Sequence, residues 1–380
     1  MPHGIFHELL PPFKTMHDGN FGRDLGQMLV KADGDLTKQV DITKVGHGAF
    51  NTKGDSWLNE IVREFIEEEY RPGNIVVDPF AGQGDMLTLC ESELGMDTHG
   101  YDIQEELGWE INDSLVSVPR MAAAICITNP PYLANYSARR KSMWPMVGEY
   151  FEDSGRSDLY EIALDKCLGS YDHVVAIIPE TFIHSTYPKD RCHSIVILEE
   201  NPFEDTTFPV CVTCWVPISG QDPEIYLGVE RVMRFSEMIR MKGSVARSNR
   251  VLFNCPQGNV GLKAVDGVNA LDRIRFLPAD EFDYPRSSIK ASSRLMTYVN
   301  IPELDTEQRV AQFCGRANQI LEMYREMSDG IILSGFKGNN KDGKRRRRLD
   351  YKLARKVILE ALGTPTTCGG RWGLLPIRGS

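Results

Sequence analysis

The stretch NIVVDPFAGQGD (residues 74–85) constrains the fold more than any other part of the 380-residue chain. A short apolar run ends in Asp78, and Gly82 and Gly84 follow within a few residues. Glycines let a backbone turn sharply and approach a ligand closely. The crevice beyond the carboxyl end of such a strand is where open α/β sheets bind ligands. The spacing is not the dinucleotide GxGxxG, and Asp78 with Asp85 would repel a pyrophosphate. The turn suits a ligand with a cationic end. Taken alone, it is also compatible with simple punctuation between a strand and a helix.

Further apolar runs of strand length lie at 98–101, 123–128, 173–178, 194–198 and 210–216. Helix-like stretches separate several of them. At 57–70, Leu58, Ile61, Val62, Phe65 and Ile66 fall on one helical face, and Arg71-Pro72-Gly73 stops the helix. Residues 158–168 read as another helix. Strands alternating with helices predict an α/β domain with a mostly parallel sheet. The last two runs are close enough to form an antiparallel hairpin, which makes the last strand antiparallel. After about residue 225 the pattern changes, so a boundary is expected there. Residues 1–225 form one domain and 226–380 an α+β region, with helices at 306–327 and 349–362 and a loop at 334–343.

Three further clusters carry chemistry. Asp102 ends the second strand about 20 residues after the glycine turn, a position suited to accepting both hydroxyls of a ribose. Asn112-Asp113 follows. ITNPPY (127–132) then places Asn129 beyond a buried strand, where Pro130 and Pro131 end pairing and hold the backbone extended. Two acceptors, the Asn129 amide oxygen and the Pro130 carbonyl, can together hold an NH2 group. Tyr132 offers a flat face for a base. A Pro-Pro pair can also simply end a strand.

In order and spacing, these clusters resemble the gamma group of DNA adenine-N6 methyltransferases, over roughly residues 46–216. The resemblance implies a Rossmann-like sheet that binds S-adenosylmethionine, with a C-terminal target-recognition region. It implies that Asp78, Phe80, Gly82 and Gly84 wrap the methionine part of the cofactor. Asp102 would hold the ribose, Ile103 would lie against the adenine ring, and Asp113 would bind its amino group. Asn129 and Pro130 would orient the target amino group, followed by Pro131 and by Tyr132 stacking on the flipped base. Phe203 is the aromatic expected against that base, with Phe208 as the alternative. Phe50 and Thr52 resemble the family's first motif, part of a segment (1–56) that closes over the cofactor. Lys53 stands there where proline is usual.

The resemblance implies double-stranded DNA as the partner and allows a cognate restriction nuclease. RNA and protein (glutamine) amino methyltransferases share the catalytic motif, and a non-catalytic DNA-recognition protein could share the fold. Net charge is -10, which argues against a generally basic binder. Residues 331–380, however, carry 12 Lys/Arg against 3 Asp/Glu. Lys344, Arg345, Arg346, Arg347 and Arg348 are therefore expected to contact phosphate, together with Arg139 and Arg140 just after Tyr132. A plain solvated face is the alternative for both clusters. No Cys/His cluster has zinc spacing, and Cys211 and Cys214 would point to opposite faces of a strand. Scattered cysteines, with no leader-like N-terminus and no membrane-length apolar run, predict a cytoplasmic protein.

Overall fold

Burial of the apolar runs on both faces builds one large sheet. The computed structural model describes residues 52, 54–203, 208–243 and 250–363. Helix α1 (Glu60–Glu69) leads into β1 (Ile75–Asp78), α2 (Asp85–Leu94), β2 (Thr98–Asp102) and β3 (Glu110–Ile111). Then come β4 (Ala124–Thr128), α3 (Asn135–Arg140), α4 (Trp144–Glu152), α5 (Leu159–Ser170) and β5 (Val174–Pro179). The sheet is completed by β6 (Cys192–Ile197), β7 (Val210–Trp215), β8 (Glu224–Leu227) and β9 (Glu230–Arg234). Its order is β3-β2-β1-β4-β5-β7-β6-β8-β9. Strands β1 to β5 pair in parallel, and β7 runs antiparallel to both its neighbours. The expected mostly parallel sheet is present, and the expected antiparallel hairpin forms between β6 and β7, but antiparallel β7 is not the last strand: it lies inside the sheet, with β6, β8 and β9 beyond it. Parallel strands covered on both faces need near-continuous apolar sequence, and every residue of β5 and β7 is buried.

Local signals set the helix boundaries. Asn59 caps α1 by accepting from the Val62 amide at 3.2 Å, so the helix starts two residues later than its apolar face begins. Val62, Phe65 and Ile66 turn inward against the sheet. Gly84 lies at φ +79 and opens α2 from a left-handed conformation that favours glycine.

The change of core falls later than residue 225. Strands β8 and β9 extend the large sheet, and Met238 of helix α6 (Phe235–Lys242) packs in the first core. Cross-strand pairing with β6 decides this, a long-range term that no local pattern carries. From Val251 onward a second core forms. There β10 (Leu252–Phe253), β11 (Val260–Lys263), β12 (Arg275–Pro278) and β13 (Met296–Asn300) make an antiparallel sheet in the order β10-β13-β11-β12. Helices α7 (Glu307–Met327) and α8 (Tyr351–Ala361) supply its other side. Thr306 and Asp350 cap them through hydroxyl and carboxylate acceptors. The stretch expected as a loop is instead a hairpin, β14 (Ser334–Asn339) with β15 (Arg345–Arg348). Among the described residues no helix is long and apolar enough to cross a membrane.

Candidate active site

The sheet order sets the site. Reading across β3, β2, β1, β4 and β5, the carboxyl ends present Asp113, Asp102, Asp78, Asn129 and Glu180 in turn. Four of these are sequence-expected site residues brought to one edge from positions up to 51 residues apart.

The glycine turn is held from both sides. Asp78 is 2% exposed, and its Oδ1 accepts from the Phe80 amide at 2.9 Å and the Thr128 hydroxyl at 2.6 Å. Burial pushes its carboxyl up to about 7; the two hydrogen bonds pull it down, and neighbouring Asp102 pushes it up. Asp102 accepts from the Gly82 amide and the Gln104 amide, each at 2.9 Å. The carboxylate is thereby fixed at the strand end with lone pairs remaining for a diol. Gly82 lies at φ +53, and a Cβ added there would meet nothing within 4 Å, so the turn faces an open crevice. Ile103 is 53% exposed beside it, an apolar surface that a flat ring could cover. Asp113 accepts from the Leu115 amide at 3.1 Å and the Tyr150 hydroxyl at 2.8 Å.

Trp109 is the residue that sequence reading missed. Its Nε1 donates to Gly82 O at 2.8 Å, so the indole braces the turn. The same ring fills the space left by two glycines. A Cβ on Gly84 or on Gly100 would each come within 2.6 Å of it. Glycine inside a strand often marks a close approach, and Gly100 within β2 was the available signal. Thr128 and Tyr150 were also missed. They hold carboxylates from a distance in sequence that leaves no pattern.

The second half of the site converges on Asn129, which is half-buried just past β4. Its Nδ2 donates to Thr52 Oγ1 at 3.0 Å, and its Oδ1 accepts from the Tyr132 hydroxyl at 2.5 Å. Those two contacts fix which way the amide faces. Pro130 is buried, and Pro131 is half-buried. Tyr132 is only 9% exposed, since its hydroxyl also lies 2.7 Å from Ile177 O and its ring meets Tyr160 and Phe203 edge-on. It is a more enclosed residue than its sequence context suggests. Phe203 is buried and bridges Thr52 through the backbone, while Phe208 is 38% exposed. Phe50 and most of the 1–56 segment lie outside the described residues.

The basic clusters separate. Arg139 and Arg140 sit exposed in the last turn of α3, close after Tyr132, and the Arg139 guanidinium lies 3.3 Å from the Trp144 ring centre. The run from Lys344 to Arg348 does not form the uniform phosphate-facing surface expected of it. As strand β15 it splits with period two. Arg345 and Arg347 turn onto the buried Glu180 carboxylate, Arg345 Nε at 3.6 Å and Arg347 as a close ion pair. Arg346 donates from Nε to Asp266 O at 2.9 Å. Lys344 stays exposed, and Arg348 is half-buried on the wall of a cleft. Gly335 lets β14 pass over Glu180, where a Cβ would stand 2.7 Å from Oε1. These arginines tie the hairpin to the end of β5.

That cleft, about 1760 Å³, is lined on one side by Ala134 and Asn135, which follow Tyr132 in the chain. Tyr160 stands on the same wall. Phe253, Arg294, Tyr351 and Arg355 belong to the other.

No family model matches the chain. It is similar to the type II methyltransferase M.MjaII of Methanocaldococcus jannaschii, 35% identical over 69 residues. That stretch is 18% of this chain and spans only 13% of the relative's length. Among solved structures, one similar chain is a class I S-adenosylmethionine-dependent methyltransferase from Listeria monocytogenes, itself a provisional assignment. The match has 16% identity and a TM-score of 0.35, and covers 48% of this chain and 66% of that one. Another is a type I restriction-modification methyltransferase subunit from Streptococcus thermophilus, with 14% identity, a TM-score of 0.34, and coverage of 47% and 46%. Superpositions this loose carry no functional weight.

Proposed function

We propose that the chain is an S-adenosylmethionine-dependent DNA methyltransferase acting on the N6 amino group of adenine. The observation that carries this reading is the Asn129 amide, oriented by Thr52 and Tyr132 at the same sheet edge as the Asp78–Asp102 crevice. The local similarity to a type II methyltransferase supports it, as does the gamma-type order of the sequence clusters.

The residues present fit the cofactor. The open side of Gly82 leaves room for close approach, and Asp102 offers acceptors for a ribose. Buried Asp78 favours a cationic group nearby, and exposed Ile103 suits an adenine face. Bound there, S-adenosylmethionine would supply an electrophilic methyl group. The chain's part is to bind, orient and stabilise. A base inside a duplex must leave the stack to reach such a site. Asn129 Oδ1 and the Pro130 carbonyl accept the hydrogens of the target amino group and aim its lone pair. Both acceptors stabilise positive charge as it develops on that nitrogen, without reorganising. Alignment of the reactants supplies much of the remaining acceleration. Tyr132 and Phe203 enclose the base-binding side.

The test is transfer of tritiated methyl from S-adenosylmethionine to unmethylated plasmid DNA, followed by nucleoside analysis. N6-methyladenine is expected, and Asn129→Ala should abolish it while still binding cofactor. Wild-type rates in Asn129→Ala would sink the mechanism. Incorporation into RNA or protein but not DNA would move the substrate class.

A further inference from the structure

The second wall of the cleft carries a four-member stack that the proposed chemistry does not use. Phe253 and Tyr351 lie face to face, with ring centres 4.4 Å apart and planes 12° from parallel. The Arg294 guanidinium covers the outer side of Tyr351 at 5.5 Å, and the Arg355 guanidinium covers Phe253 at 5.1 Å. The order is Arg294–Tyr351–Phe253–Arg355, built from three segments: Phe253 in β10, Arg294 just before β13, and Tyr351 with Arg355 one turn apart on α8. Tyr351 is anchored by its hydroxyl to Ser293 O at 2.8 Å and Asn254 Oδ1 at 3.0 Å.

Such a stack does not suit a base, because both outer ring faces are occupied. It suits an anion. A guanidinium lying against a ring is held with its plane fixed, so little freedom is lost when it binds phosphate. Arg294 is exposed, and its Nη1 donates to Ala291 O and Ser293 O. Among the described residues, its Nε and Nη2 have no partner.

The charge around the stack points the same way. Five Lys/Arg residues line the cleft against three carboxylates, in a chain of net charge -10. The carboxylates are committed elsewhere. Asp350 caps α8, Glu161 accepts from the Ser157 amide and hydroxyl, and Asp158 accepts from the Leu133 amide. The excess of cations over carboxylates favours an anionic partner.

We propose that Arg294 and Arg355, braced by Tyr351 and Phe253, are the phosphate contacts that seat a DNA duplex in this cleft. This rests on the DNA-methyltransferase reading. It assigns the duplex to the wall opposite Ala134 and Asn135, so that a flipped base enters toward Asn129. It gives the stack the role that the Lys344–Arg348 run was expected to fill.

The experiment is fluorescence anisotropy of the full chain with a labelled mixed-sequence DNA duplex across a salt series. Each lost phosphate contact lowers the slope of log affinity against log salt by about 0.9. Arg294→Gln/Arg355→Gln should therefore reduce the slope by about 1.8 and weaken binding at least about tenfold at physiological salt. Exposed Arg294→Gln alone should reduce it by about 0.9. S-adenosylmethionine binding by calorimetry, unchanged in both variants, reports that they are folded. An unchanged slope in Arg294→Gln, with tight wild-type duplex binding, overturns the stack assignment and leaves the DNA reading standing. A wild-type chain that does not bind the duplex overturns both.

Discussion

Replacing Glu180 by Gln should destabilise the protein far more than any surface charge change. Glu180 is 2% exposed, and its two oxygens face Arg347 and Arg345 from a strand about 165 residues away in sequence. Their side chains are only 6% and 12% exposed. Glutamine keeps the shape and removes the charge, leaving two guanidiniums buried without a counter-ion. Burial already pulls the Arg345 guanidinium down, and Glu180 is what holds it up. Breaking a buried pair from one side costs about 3–5 kcal/mol, against about 0–1 kcal/mol for an exposed pair. With an unfolding entropy of about 2.1 cal/mol/K per residue, 4 kcal/mol is a fall of about 5 °C in Tm for a unit this large. Urea unfolding of wild type, Glu180→Gln, Arg347→Met and the double variant completes the cycle. The double variant should cost less than the sum of the singles by about 2 kcal/mol, because the second change removes the charge that the first one stranded. Duplex affinity of folded Arg347→Met should match wild type. A loss below about 1 kcal/mol in Glu180→Gln, or a fall in duplex affinity on Arg347→Met, would refute the structural reading of this arginine.

The remaining predictions concern the crevice. Burial holds the Asp78 carboxyl up at about 7, so the folded chain keeps that proton after the unfolded chain has released it. Stability should therefore fall as pH rises from about 4 to 7 and then level, and Asp78→Asn should flatten that limb in urea titrations. S-adenosylmethionine affinity should move the opposite way. A cation beside Asp78 favours the ionised form, so affinity rises toward pH 7 by at most about tenfold per unit. A calorimetric profile equally steep in Asp78→Asn would count against the placement. Tyr132→Phe keeps the ring and removes the hydroxyl that orients Asn129 Oδ1. It should lower kcat by about tenfold, the scale of one lost hydrogen bond of about 1.4 kcal/mol, with cofactor affinity unchanged. An unchanged kcat would remove the hydroxyl from the mechanism.

Sequence alone determined what depends on near neighbours. The apolar runs defined the central strands, because a strand buried on both faces must be apolar along its length. Gly82 and Gly84 marked the turn, since few other residues adopt its backbone, and Asp102 and Asn129 were legible as strand-end polar residues. Only the tertiary structure decided where those strand ends meet and which long-range partners hold them. The bracing of Gly82 by Trp109, the Thr128 hydroxyl on Asp78 and the enclosure of Tyr132 join residues with no shared period. The five cations from 344 to 348 show the difference most directly. Charge counting treats them as one patch, but a strand separates alternate residues. Glu180, 165 residues from the start of that strand, takes Arg345 and Arg347 out of solvent because a buried carboxylate requires a counter-charge. Local sequence fixes conformation; the identity of a distant counter-charge is fixed only when the chain has folded.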